Sequence, residues 1–541
     1  MYPLGFLPFF LALLPESLAV TAAVIVPILT LAFWLYAVVS RSSSATADDA
    51  PVHLPGSSLS HILPFFHRRF DFINSGFQLA GQAIYQFSLL GTPVIVLSGE
   101  AARRDFFQAK DLDLNAGFKF LSGAIPMVPG VTSNLETRRI ALIHKRLVAS
   151  QTSERLQRLI PLILEDSRRV INTWGYSGSL DPFQQLPELI FQTTVRCLAF
   201  TELADDAAKV QRLKELYDTL DTATTPATVL LPWLPGPSAV RRLIATKRIY
   251  DIISKTLDER VKNGITRDDT PQMLIDAGDE RLVIIGVSLL VAGARSTGTT
   301  ASWLITFLSG HPQWREKAAE EVRRLVAEHA TPPHRPSEPR DTSTDPTTPQ
   351  EPPLSDHRPP PLSELHTSLG SVPLSAWETD TPVLDAMIRE TLRVAEPHVA
   401  MRQYLPPSHL DEKAQLHIGG KAVPPGAFVM YPFSDVHLSS EVYKNPWCWD
   451  PARPELNLKA PYAYVGMGAG STTCLGKRLA TLELKLITAL FVLGFGDFRA
   501  VDKLGAPLDE LPRPNWNDIL TCKPPAGSCF VRFERTVERD A

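Results

Sequence analysis

The chain is poor in cysteine, with five among 541 residues: Cys197, Cys448, Cys474, Cys522 and Cys529. They are widely scattered and no two stand as C-x-x-C, which excludes a disulfide scaffold, a zinc ribbon and a ferredoxin-type cluster. Charge of one sign is also lacking. A formal net charge of -4 and a pI near 6.4 give no footing for nucleic acid. No internal repeat stands out. What is abundant is apolar residue, 44% of the chain, enough for a large buried core.

Charge is locally absent near the N-terminus. Ala19 to Ser40 carries none, between Glu16 and Arg41. About twenty such residues cross a bilayer, so residues 18–40 are expected to form a transmembrane anchor. Neither the basic n-region nor the short core of a cleaved signal is present. Residues 1–17, apolar but broken by prolines, are expected to be lumenal or interfacial, and 41–64 a linker. Arg68, Arg69, Arg103 and Arg104 favour a cytosolic side for residues 65–541.

Residues 65–541 read as mainly α with small β-sheets. Helical spacing runs over 139–169, 182–200, 241–264, 313–329, 383–394 and 477–492. Short strands are expected at 93–97, 416–420, 421–423, 424–430 and 528–534. Glu280 to Leu308 is a long helix with an almost wholly apolar first half, and Arg295 with a Ser/Thr/Gly cluster at its centre marks it as a core helix lining a cavity. Residues 331–373 are dense in Pro, Ser, Thr and charge and contain no aromatic residue; they are expected to be a disordered insertion.

Chemistry concentrates around Cys474, in Met467-Gly-Ala-Gly-Ser-Thr-Thr-Cys474-Leu-Gly476, just before the helix over 477–492. Glycines let a loop approach a flat group closely and leave backbone N–H groups free to point at sulfur. The positive end of the following helix favours a thiolate. Upstream, Glu390 and Arg393 stand three apart on one helical face, and Pro451-Ala-Arg453 brings another arginine. A carboxylate between two arginines would lock that loop against the helix.

On these motifs the chain resembles the cytochrome P450 family over about residues 50 to 535. Met467-x-x-Gly470-x-Thr472-x-Cys474-x-Gly476 is similar to its haem-cysteine loop, and Glu390 with Arg393 to its Glu-x-x-Arg helix. Arg453 matches its Pro-x-Arg loop, and Ala292-Gly293-Ala294-Arg295-Ser296-Thr297 its oxygen-activation groove. The layout resembles fungal microsomal members. The resemblance implies the P450 fold after an N-terminal transmembrane helix, haem b on Cys474, and electrons from NADPH. It further implies NADPH-cytochrome P450 reductase and cytochrome b5 as partners, and an endoplasmic reticulum location, single-pass, with a cytosolic catalytic domain.

The chain departs from the family pattern at several positions. Met467 stands where an aromatic is usual, and Thr472 where Arg or His binds a haem propionate. Arg402, His144, Lys145 and Arg146 are the candidates to supply that charge. In the groove, Arg295 replaces an acid and Ser296 a threonine, with Thr297 next. A hydroxyl can hold a water chain; Arg can organise water or bind a substrate carboxylate but cannot act as an acid. Apolar stretches at 118–127, 230–234, 289–296 and 399–401 favour a lipophilic substrate, such as a terpenoid or other secondary metabolite. The expected function is a monooxygenase. The alternatives are a haem-thiolate isomerase or dehydratase that acts on a peroxide without reductase, and a membrane-anchored haem-binding or sensing protein.

Overall fold

A computed structural model describes residues 49–122, 137–329, 360–396, 398–406, 416–454, 460–518 and 521–535. The chain forms two compact units. One is Met1–Leu121 with Met401–Tyr431, described from residue 49; the other is Ser122–Ala400 with Pro432–Ala541.

Strands are short: β1 (Val52–His53), β2 (Ile84–Leu89), β3 (Thr92–Leu97), β4 (Leu112–Asp113), β5 (Ser177–Leu180), β6 (Val399–Tyr404), β7 (Leu416–Ile418), β8 (Lys421–Val423), β9 (Phe428–Pro432), β10 (Phe495–Val501) and β11 (Phe530–Arg535). The first unit holds a six-stranded sheet ordered β1-β2-β3-β9-β6-β4 and the β7-β8 hairpin. The hairpin turns at Gly419-Gly420, with Leu416 opposite Val423, as the paired glycines predict. Phe65, Phe87, Phe106 and Phe107 are buried against this sheet's strands and helices.

The second unit is helical. Its framework is α1 (Thr137–Ala149), α2 (Ser153–Asn172), α3 (Pro182–Leu198), α4 (Ala207–Thr222), α5 (Pro237–Lys262), α6 (Arg281–Ser288), α7 (Ala294–Gly310), α8 (Pro312–His329), α9 (Leu362–Gly370), α10 (Pro382–Ala395) and α11 (Lys477–Gly494). A three-stranded sheet, β10-β11-β5, completes it. In α7 every residue from Thr297 to Ser309 is buried, so its hydroxyls must be satisfied internally. Ser302 Oγ lies 2.8 Å from both Pro182 O and Gly298 O, and Thr306 donates to Ser302 O. A Cβ on Gly298 would sit 3.0 Å from the Pro187 backbone, so glycine there allows α7 to press against α3.

Three expectations are corrected. A transmembrane helix was expected before the catalytic domain, at 18–40. Among the described residues, the one helix long and apolar enough to cross a membrane is Arg281–Gly310, which is internal. Its most apolar stretch is 56% buried, so its composition serves packing within the protein. Residues 1–17 and 18–40 lie outside the described residues. The expected linker 41–64 already belongs to the fold in its second half: β1 pairs in parallel with β2, and Leu54 and His61 are buried. The last part of the expected disordered insertion 331–373 is ordered. Residues 330–359 lie outside the described residues, but α9 follows, with Leu362, Leu365 and Leu369 buried. Three leucines at helical spacing suffice to dock one short helix despite the surrounding composition.

Candidate active site

The loop bearing Cys474 is shaped by its own backbone. Cys474 N–H donates to Met467 O at 2.8 Å, and Gly468 N–H to Val465 O at 2.8 Å. Gly468 has φ +74°, and a Cβ there would lie 2.5 Å from Thr472 O, so the bend requires glycine. Gly470 is also left-handed, at φ +59°. Gly476 caps α11 and directs its N–H at the Cys474 sulfur.

Cys474 presents an exposed face, while its loop withdraws enough water from the sulfur to push the thiol up. The Gly476 N–H and the Lys477 charge oppose that shift without cancelling it. The expected lowering by the helix end is therefore outweighed by desolvation in the chain alone. A bound metal ion deprotonates such a thiol outright.

Behind the loop stands a buried ion network. Arg393 grips Glu390 with two bonds, Nε to Oε2 at 2.8 Å and Nη2 to Oε1 at 2.7 Å. Arg453 Nε donates to the same Oε1 at 2.9 Å, as does the Asp450 N–H at 3.0 Å. The remaining guanidinium protons reach backbone carbonyls. Arg393 bonds to His437, Pro446 and Cys448, and Arg453 to Lys444, Asn445 and Cys448. One carboxylate and two guanidinia thus fasten the 437–453 segment to α10. Trp449 stacks on Phe307 of α7 with ring centres 5.1 Å apart.

Two tethers have no forecast in the local sequence. Gln151, just after α1, donates to Leu475 O at 2.8 Å and accepts from the Leu479 N–H at 3.2 Å. Arg478 pairs with Glu378 and donates to Gln151 O at 2.7 Å. A cavity of about 550 Å³ borders Cys474 and is lined by Gln151, Trp377, Glu378, Lys477, Arg478 and Lys485.

The candidates for holding propionates are placed differently from one another. Thr472 donates its hydroxyl to Ala469 O at 2.9 Å, within its own turn. Met467 is half-buried against the helical core. On α1, Arg146 pairs with the buried Asp279 at 2.8 Å, His144 is half-buried and Lys145 exposed. Arg402 lies in the first unit, buried, donating to Phe106 O at 2.8 Å with its guanidinium over the Phe106 and Phe107 rings.

The groove falls where the long helix changes character. Leu289–Gly293 winds as a 3-10 segment between α6 and α7, a local change that often marks a functional position in a helix. Ala292 and Gly293 are exposed, and a Cβ on Gly293 would meet nothing within 4 Å. Arg295 is paired with Asp221 of α4, both about one-third exposed. Ser296 is half-buried and Thr297 buried. Thr300, one turn on, lies 2.9 Å from Ser296 O and 3.0 Å from Glu396 Oε1.

These residues fit a haem-thiolate centre. Cys474 is exposed on a glycine loop, a backbone N–H points at its sulfur, and a Cβ on Gly476 would meet nothing within 4 Å. Among the described residues no group of three or more His, Cys, Asp or Glu could hold a metal ion.

A family model described as Cytochrome P450 matches residues 63–338 and 364–526. The chain is 27% identical over 451 residues to "Cytochrome P450 monooxygenase dmxR5" of Cryptosporiopsis sp., covering 81% of each chain. It is 26% identical over 435 residues to "Cytochrome P450 monooxygenase AacuE" of Aspergillus aculeatus, covering 78% of this chain and 80% of that one. Over 455 residues it is 26% identical to the lanosterol 14-alpha demethylase of Mus musculus, covering 81% and 80%. The structure of a retinoic acid-bound cyanobacterial CYP120A1 is similar in fold, with TM-score 0.65 at 19% identity, covering 90% of this chain and 99% of that one.

Proposed function

The chain belongs to the cytochrome P450 family, and on that premise we propose that it is a haem-thiolate monooxygenase acting on a lipophilic small molecule of secondary metabolism. Electrons come from NADPH through a reductase, with cytochrome b5 as a second donor. The observation that carries the reading is the Cys474 loop, backed by the Glu390–Arg393–Arg453 network. Bound haem b supplies oxygen activation, with electron release from the thiolate favouring O–O cleavage. Cys474 would hold its iron, and Met467, Gly470 and Gly476 of the same loop would receive the porphyrin. The family pattern offers Thr472, Arg402, His144, Lys145 and Arg146 as candidates for its propionates.

Gly293 leaves room beside the groove, and Ser296 and Thr297 hold water there. Arg295 is neutralised by Asp221, so an acidic substrate has no free cation at that position. A largely apolar ring system is supported by the half-buried Leu289 and Leu290 and by similarity to demethylases named for lanosterol. Around the cavity beside Cys474, Arg478 is paired with Glu378 and Lys485 with Asp385, so Lys477 is the cation there that an acidic electron-donor partner would meet.

The endoplasmic reticulum membrane, with the catalytic domain cytosolic, is the location this reading adopts. Trp233, Leu234, Val240, Leu243 and Ile244 form an exposed apolar run around the start of α5, and such a surface suits contact with lipid.

A carbon monoxide difference spectrum tests the centre. The wild type should show the strongly red-shifted Soret band, and Cys474→Ser should lose it; survival of the band in that variant overturns the ligand assignment. Product formation that needs NADPH and reductase supports monooxygenation. Conversion of a hydroperoxide without either overturns it in favour of a rearrangement.

A further inference from the structure

We propose that Glu396, with Thr300 and His398, forms the proton-delivery path of the groove, replacing the acid that Arg295 displaces. The proposal rests on the monooxygenase reading, because that reaction consumes two protons and two electrons from outside for each oxygen molecule and releases one oxygen atom as water.

Arg295 cannot supply those protons, since a guanidinium does not deprotonate at ordinary pH, and it is bound to Asp221. Ser296 and Thr297 carry hydroxyls, which pass protons on but do not store them. A buried carboxyl reaches this face of α7 from elsewhere. Glu396 is 3% exposed, at the end of α10. Its Oε1 is 3.0 Å from Thr300 Oγ1, and its Oε2 is 2.8 Å from His398 Nε2. His398 is 38% exposed and so meets solvent.

Thr300 and Ser296 are four residues apart, on one face of α7. The single hydroxyl proton of Thr300 has two acceptors in reach, Glu396 Oε1 and Ser296 O. With Glu396 protonated both contacts are satisfied: the carboxyl donates to Thr300 Oγ1 and Thr300 donates to Ser296 O. For the relay the Thr300 hydroxyl must turn from Ser296 O, which only accepts, to a water of the groove. Thr300 passes its proton toward the groove and takes one from Glu396; Glu396 takes one from His398, and His398 from water. Every group ends as it began, and the electrons come from NADPH.

Two other titratable groups feel Glu396, the Tyr464 phenol and the Cys522 thiol. Burial pushes both up, so both stay neutral near neutral pH and neither competes as a donor.

The test uses the haem-loaded full chain with reductase and four variants: Glu396→Gln, Thr300→Val, Thr300→Ser and His398→Gln. The red-shifted carbon monoxide band and the thermal midpoint are read first, and each variant is expected to keep both. The partition of NADPH electrons between product and hydrogen peroxide is read second. Glu396→Gln and Thr300→Val should lower product per NADPH by about tenfold or more, with peroxide rising to match. Thr300→Ser, which keeps the hydroxyl, should restore coupling. His398→Gln should slow product formation most where bulk protons are scarce, at high pH. Unchanged coupling in Glu396→Gln or Thr300→Val with the band intact overturns the proposal, as does equal uncoupling by Thr300→Ser and Thr300→Val. Should Glu396→Gln fail to fold, the Thr300 pair decides alone. Absence of the band in the wild type would instead defeat the haem-thiolate reading.

Discussion

Glu483 should make this protein less stable as pH rises. It is buried on α11, facing α3, where the Thr193 and Thr194 hydroxyls donate to its Oε1 at 2.7 and 3.2 Å. Burial pushes its carboxyl up to about 7, and the two hydroxyls only partly offset that. A folded-state value raised above the unfolded one means that the ionised form opposes folding. The full stability is present below the unfolded value near 4.5 and is lost as pH climbs toward about 7. The size follows from the shift: the penalty grows from about 1 kcal/mol near pH 5 to about 3 kcal/mol near pH 8. Glu483→Gln keeps the shape and an acceptor for Thr193 and removes the charge. Denaturant unfolding of the two haem-loaded proteins, compared pH by pH, isolates this group, because every other titration cancels in the difference. The variant should gain on the wild type steadily between about pH 5 and pH 8. A difference that does not change with pH would refute the reasoning.

Two further outcomes are expected at the site. Arg453→Met should cost about 3 kcal/mol, since it leaves Glu390 buried with one partner fewer and strands the Lys444, Asn445 and Cys448 carbonyls; the haem-to-protein absorbance ratio should fall with it, and a normal ratio with unchanged stability counts against the locking role. Gly468→Ala should destabilise the loop by at least about 1–2 kcal/mol, from its left-handed backbone and the clash with Thr472 O, and should lose the red-shifted band. Gly476→Ala is the control: it meets no atom of the chain within 4 Å, so a loss of haem binding there reports contact with the macrocycle itself.

What was legible in the sequence was mostly local. Glu390 and Arg393 are one helical turn apart, so their pairing needs no tertiary knowledge. The Cys474 loop declares itself through glycines whose backbone angles other residues resist. The Gly419-Gly420 hairpin obeys the same logic. Partners far along the chain were not legible. Asp221 lies 74 residues before Arg295, and Asp279 lies 133 beyond Arg146. Gln151 reaches Leu475 across 324 residues. No periodicity encodes such pairs; packing selects them. Composition misled in the other direction at α9, where abundant proline and serine hid three leucines at helical spacing. At Glu280–Leu308 apolar length alone could not separate a span from a core helix, and the Arg295 and Ser/Thr/Gly cluster at its centre is what marked it as core.

The cationic replacement in the groove makes sense only with its distant partners in view. An arginine in place of an acid would leave a positive charge beside the oxygen site and remove a proton source. The fold answers the first problem from α4, where Asp221 cancels Arg295. Asp221 also acts on Arg242 of α5, whose guanidinium is partly desolvated. The second problem is answered from the end of α10, where Glu396 meets Thr300 on α7. Charge balance and proton supply, which one acidic residue in the groove could serve together, are thereby divided between two elements of the helical unit. The division has a physical consequence. The Asp221–Arg295 pair and the Glu396–Thr300 contact share no residue, so a change at one leaves the other in place.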